Sequence, residues 1–216
     1  MTAEQPRRRA SAMSPDQRRE AIVAAVLPLV REHGAHVTTK QIAQAAGIAE
    51  GTVFRAFSDK TELLQACVTA ALRPDELCAT VRAVPRDTDV AERLTEAAQL
   101  FLDHFTRFGE LVHTLAASGF DLRGGPDRKP TGLPEAREQF IHDLNAAVVS
   151  LVDPQELRIP PEDLAKYLQS LVLGLRFTAT AQSTADTDHT AAIRARVDVL
   201  LHGALAETAH TTGESS

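Results

Sequence analysis

Residues 38–57 read TTKQIAQAAGIAEGTVFRAF, and their punctuation decides the fold. Thr38-Thr39-Lys40-Gln41 is a capping box: the threonine side chain can cover the Gln41 N–H while the glutamine reaches back. A helix therefore starts there. It stops at Gly47, the residue type that closes helices in the left-handed conformation. A second short helix covers about 50–57. Two short helices, a small Ala43 inside the first and a glycine turn between them make helix-turn-helix spacing. Ile42, Ala46, Ile48, Val53 and Phe57 fall where the pair can pack inward. Lys40, Gln44, Glu50, Thr52, Arg55 and Ala56 are left outside. A helix with short, mixed polar residues at its front fits a major groove, where base edges are read.

Helix signals continue on both sides. Ser14-Pro15-Asp16-Gln17 is another capping box, with proline in the first turn, and Gly34 ends the helix it starts. Ile22, Val26, Leu29 and Val30 form the apolar stripe of that helix, and Pro28 should bend it near Ala24. Asp59-Lys60-Thr61-Glu62 starts a helix to Leu72, and a weaker one follows Pro74 to Val84. Further helices are expected at about 90–108, 110–121, 134–152, 161–182 and 190–208, with a Gly- and Pro-rich loop at 122–134. The expectation is an all-α chain of nine or ten helices. It divides into a helix-turn-helix domain at 1–72, with a basic arm and a connecting helix, and a helical domain at 73–216.

Composition narrows the function. The 216 residues are 44% hydrophobic and 24% charged, ordinary for a folded protein. Two cysteines, Cys67 and Cys78, make neither a disulfide framework nor a zinc set, and suit a cytoplasmic setting. No apolar run approaches the roughly 18 residues of a membrane span, and no secretory signal is expected at the start. Residues 1–60 hold nine Lys/Arg against six Asp/Glu; the remainder holds 14 against 23. Only the front therefore suits a polyanion. Eight histidines include no HxxxH or HExxH pair, so no metal is expected. No P-loop, nucleophile elbow or dinucleotide fingerprint points to an enzyme or a cofactor.

The run VTTKQIAQAAGIAEGTVFRAFSDKTELL resembles the DNA-binding domain of the TetR family of transcription regulators. Ile42-Ala43, Ala46-Gly47, Gly51-Thr52, Phe54, Phe57, Lys60 and Leu63-Leu64 carry the match, which spans about 15–72. The resemblance implies a ligand-responsive regulator, usually a repressor, that binds double-stranded DNA. It implies that Gly51 lets the recognition helix approach the DNA backbone, and that Thr52 and Arg55 meet base edges or phosphate. Thr39 and Lys40 stand at the start of the preceding helix, where a hydroxyl and the helix terminus can meet a phosphate. Lys60 corresponds to the family's phosphate anchor. Phe54 replaces the usual tyrosine, Ala56 the usual histidine and Ala49 the frequent serine cap. The alternative is a helical small-molecule carrier or enzyme that has lost DNA binding.

The rear half concentrates large apolar residues. Phe101, His104, Phe105, Phe108, Leu111, His113, Leu115, Phe120, Phe140 and Tyr167 are the candidates for lining a cavity that takes a small apolar effector. A twofold pair of recognition helices reads a palindromic operator, so a homodimer is expected. Stripes on the last two helices, including Leu171, Leu175, Val197 and Leu201, are the candidate interface.

Overall fold

The computed structural model describes residues 13–121, 132–179 (side chains to 175) and 189–203. The Arg7–Arg9 arm, most of the 122–134 loop, the Arg176 side chain and Ala204 lie outside them. Among the described residues there are nine α-helices and two 3₁₀ turns, and no strand. The chain divides into two compact units. One comprises Met1–Arg73 and Phe108–Arg137; the other comprises Pro74–Arg107 and Glu138–Ser216.

The first unit begins with α1 (Pro15–His33), whose capping box forms as the sequence implies: Ser14 accepts from the Gln17 N–H and Gln17 from the Ser14 N–H. The helix runs through Pro28, which sits on its exposed side, and ends at Gly34. A 3₁₀ turn (Gly34–His36) leads to α2 (Thr39–Ala46), α3 (Glu50–Ala56) and α4 (Lys60–Ala71). Their apolar faces meet in one core. Ile22, Val26 and Val30 of α1 pack with Ile42 and Ala43 of α2, Val53 of α3 and Leu63, Leu64 and Cys67 of α4. Burial raises the Cys67 thiol to about 12, so it stays protonated and unreactive.

One sequence expectation needs correction at the end of α6 (Val90–Ala117). It is one continuous helix of 28 residues, not two helices meeting at Gly109. A single glycine inside a helix costs only about 1 kcal/mol relative to alanine. The spacing of Leu111 and Leu115 continues the helix past it, and both are buried in the first unit's core. Phe108–Arg137 cluster with the amino-terminal residues, and Pro74–Arg107 with Glu138–Ser216.

The second unit holds α5 (Asp75–Arg82), α6 up to Arg107, most of α7 (Leu133–Val149), a 3₁₀ turn (Pro154–Glu156), α8 (Pro161–Ala179) and α9 (His189–His202). Its interior includes Leu94, Phe101, Leu144, Leu164 and Leu168, all essentially fully buried. Gln169, itself buried, donates to Asn145 Oδ1 at 2.7 Å and so satisfies a polar tie between α8 and α7. No helix among the described residues is long and apolar enough to cross a membrane.

Candidate functional site

The helix pair at 38–57 is built by local chemistry. Thr38 accepts from the Gln41 N–H at 3.2 Å, and Gln41 accepts from the Thr38 N–H at 2.8 Å. Gly47 closes α2 at φ 65°, in the left-handed region, and the Ile48 N–H returns to the Ala43 carbonyl at 3.0 Å. Ala49 offers α3 no side-chain cap, in keeping with the missing serine. Ile42, Val53 and Phe57 are buried, and Ala46 and Ile48 pack against them.

What remains turns outward. Lys40, Gln44, Glu50, Gly51 and Arg55 are exposed, and Thr39 and Thr52 are half-buried. Phe54 is 44% exposed, unusual for a ring with apolar neighbours to join. Thr39 Oγ1 donates to Glu50 Oε2 at 3.4 Å, which brings the front ends of α2 and α3 together. Ala56 departs from expectation: it packs against the core, and its carbonyl accepts from Arg19.

Arg19 is the residue that motif reading passes over. Its guanidinium donates to the Ala56 carbonyl, pairs with Glu62 Oε1 at 2.6 Å, and lies 4.2 Å from the Phe57 ring centroid. One α1 side chain thus fixes the end of α3 and the start of α4. The signal was its spacing: Arg19 stands three and four residues before Ile22 and Val23, on the buried face. Glu62 also accepts from the Ser58 N–H at 2.6 Å and the Ser58 hydroxyl at 2.8 Å. The Ser58 N–H does most to hold its carboxyl below the ordinary 4.5, against partial desolvation, with the Ser58 hydroxyl and Arg19 adding to it. A lowered folded value stabilises the fold above the unfolded value and is lost as pH falls through the folded one. Glu62→Gln should therefore cost about 0.5–1.5 kcal/mol at neutral pH and flatten the fall of melting temperature below pH about 4.5. An unchanged acid profile would contradict the role.

Lys60 Nζ donates to the Ala35 carbonyl at 2.6 Å, closing the turn after α1. An ammonium has three donors, so the contact leaves capacity for a phosphate oxygen. Gly51 is instructive for the opposite reason. It has no positive φ, and a Cβ there would meet nothing within 4 Å. The fold does not require this glycine, and in a helix it is unfavourable. Gly51→Ala should raise stability by about 0.5–1 kcal/mol while weakening DNA binding, because the added methyl occupies space that a backbone in the groove would need. Weaker binding together with a lower melting temperature would remove the argument.

Residues 22–67 match the family model described as bacterial regulatory proteins, tetR family. The match runs from α1 into α4 and takes in the whole helix-turn-helix. Solved structures extend the likeness to the fold of nearly the whole chain. A transcriptional regulator from Rhodococcus sp. is 21% identical, with a TM-score of 0.59, covering 86% of this chain and 96% of that one. A Mesorhizobium loti protein described as a TetR-family transcriptional regulator gives 15% and 0.61, over 88% and 96%. The reduced form of Escherichia coli NemR gives 16% and 0.57, over 87% and 100%. No curated protein sequence matches the chain. The family match at 22–67 indicates a DNA-binding transcriptional regulator, and the solved structures share the fold.

The ten rear candidates for ligand contact divide between the units. Phe101, His104, Phe105, Phe140 and Tyr167 fall in the second; Phe108, Leu111, His113, Leu115 and Phe120 fall in the first. Leu111 and Leu115 are core residues packed with the amino-terminal helices. His113 and Tyr167 are exposed, whereas Phe101 is fully buried. His104, Phe105 and Phe140 do form a cluster: His104 stacks on Phe140 with centroids 5.2 Å apart, and Phe105 meets Phe140 edge-on at 5.6 Å. Of the interface candidates, Leu175 and Val197 are buried within the chain itself and present no free face. Leu171 and Leu201 are half-buried, and the exposed apolar side chains nearby in sequence are Tyr167, Leu173 and Val199. A helix has two sides, and periodicity alone did not say which of them the protomer uses. No group of three or more His, Cys, Asp or Glu could hold a metal among the described residues.

Proposed function

We propose that the chain is a ligand-responsive repressor that binds a palindromic operator as a homodimer and releases it when a small apolar molecule enters the carboxy-terminal unit. The single observation that carries the DNA half is the exposed front of α2 and α3: Thr39, Lys40, Gly51, Thr52, Phe54 and Arg55 face outward from a buried core. Supporting the dimer are Tyr167, Leu173 and Val199, exposed apolar residues on the last two helices that a soluble protein has reason to cover. Supporting the apolar effector is the His104–Phe105–Phe140 ring cluster.

The test is selection of genomic fragments on the purified full chain, followed by gel shifts at several salt concentrations. A palindrome with half-sites about one helical turn apart, and a strong loss of affinity with salt, is the expected result. Recovery of no specific fragment would favour the carrier reading. A monomeric mass at micromolar concentration would remove the dimer.

A further inference from the structure

We propose that the second unit has a binding cleft for a small monocarboxylic acid, built around Arg93 and Arg86 and separate from the aromatic cluster. The cleft measures about 450 Å³, within the range of small-molecule sites. Its walls are the first turn of α6, the residue Arg86 before it, and the segment Leu151–Glu156.

Arg93 is the reason to expect an anion. Its side chain is only 9% exposed, yet its charge is incompletely matched. Nη1 donates to the Arg86 carbonyl at 3.1 Å, and Nη2 reaches Glu156 Oε2 at 3.3 Å. Close guanidinium–carboxylate pairs lie at about 2.7–2.9 Å, so this pair is loose. Glu156 is also shared, because its Oε2 accepts from the Asp153 N–H at 3.3 Å. Nε of Arg93 is buried and has no hydrogen-bond partner at all. A buried donor without an acceptor is uncommon in folded proteins and calls for one. Arg86 brings a second, exposed guanidinium to the same cleft.

The rest of the lining selects the acid. Asp153 spends its carboxylate on the Gln155 N–H at 2.9 Å, capping the 3₁₀ turn. With Glu156 it sets two negative charges beside the two arginines of the lining, a balance that disfavours a dianion more than a monoanion. Leu151 and Val152 line it but are themselves buried, so the exposed Pro154 ring gives a short hydrocarbon tail its apolar edge. One carboxylate on the arginines and one short tail along that edge fit the donors and the surface present.

Hexanoate is the probe, with hexanamide and inorganic phosphate as controls, titrated into the full chain by calorimetry and followed by melting temperature. Saturable hexanoate binding that raises the melting temperature, with neither control binding, is expected. Arg86→Gln should weaken it about tenfold, since one of two charge-assisted contacts is lost; this residue is exposed and its variant should fold. Glu156→Gln should tighten binding severalfold, because the competing carboxylate is gone. Binding of hexanamide as tightly as hexanoate, an Arg86→Gln variant with full affinity, or a Glu156→Gln variant that binds more weakly would each overturn the site. The readout needs no DNA, so it stands or falls independently of the repressor reading.

Discussion

Gly34→Ala is expected to destabilise the amino-terminal unit by about 3 kcal/mol or more, the sum of two separate penalties. The first is conformational. Gly34 sits at φ 56° and ψ −135°, a region that residues with a Cβ avoid. The second is steric. A Cβ at this position would overlap Ser118 Oγ and come within 2.7 Å of the Thr114 carbonyl oxygen. That carbonyl is helical backbone and cannot step aside. Ser118 is held as well, because its hydroxyl accepts from the Ala35 N–H at 2.7 Å and donates back to its own helix. For a unit of roughly 100 residues the loss corresponds to a fall of roughly 12–24 °C in melting temperature. Gly47 is the control. It has a similar φ of 65°, but a Cβ there meets nothing within 4 Å. Gly47→Ala should cost only about 1–2 kcal/mol, the conformational part alone. Removing the hydroxyl with Ser118→Ala should rescue Gly34→Ala little, since the Thr114 carbonyl remains. Equal melting temperatures for the Gly34 and Gly47 variants would show that the close approach does not matter.

On DNA, Arg55→Ala is expected to cost about 1–3 kcal/mol, or about 5–150-fold in affinity, and to relax sequence preference at one position of each half-site. Arg55 is exposed in the last turn of α3 and has a fork geometry suited to guanine. Lys60→Ala should act differently. It should weaken all sequences about equally and lower the salt slope by about 2 for the dimer, the signature of one phosphate contact per half-site. Because Lys60 also closes the turn at Ala35, its variant should be compared at a temperature well below its melting point. Thr52→Ala should be milder than either. Operator affinity unchanged in all three would refute docking through α3.

Much of this was legible before any coordinates. Capping boxes are local, so the starts of α1 and α2 follow from three or four residues each. The turn at Gly47 and the inward residues Ile42, Val53 and Phe57 follow from the same short-range rules. The failures are all tertiary. Gly109 looked like a break because a helix read alone loses stability there, whereas Leu111 and Leu115 gain a core by continuing it. Leu175 and Val197 looked free because an apolar stripe does not say whether its partner is the same chain or another. Arg19 and Ser118 escaped notice because each acts on backbone groups 37 and 83 residues away, and no motif spans that distance. Ser118 does lie three residues after Leu115, on the face that enters the core. A polar residue at such a position is a hint of a buried tie.

The single length of α6 has a practical meaning for anyone who would cut this protein apart. At about 1.5 Å per residue its 28 residues run about 42 Å. Its final turns supply Leu111 and Leu115 to the amino-terminal core, and Ser118, just past its end, accepts from the Ala35 N–H. A fragment ended after Leu72, the natural place to trim by sequence, would discard those three and strip Gly34 and Ala35 of their contacts with Thr114 and Ser118. The joints between units fall at three places in the chain, between 73 and 74, 107 and 108, and 137 and 138. A chimera that borrows a reading head from a relative must therefore import two separated pieces of sequence. The second of those pieces begins in mid-helix, where a mismatch in register by one residue rotates every contact by about 100°.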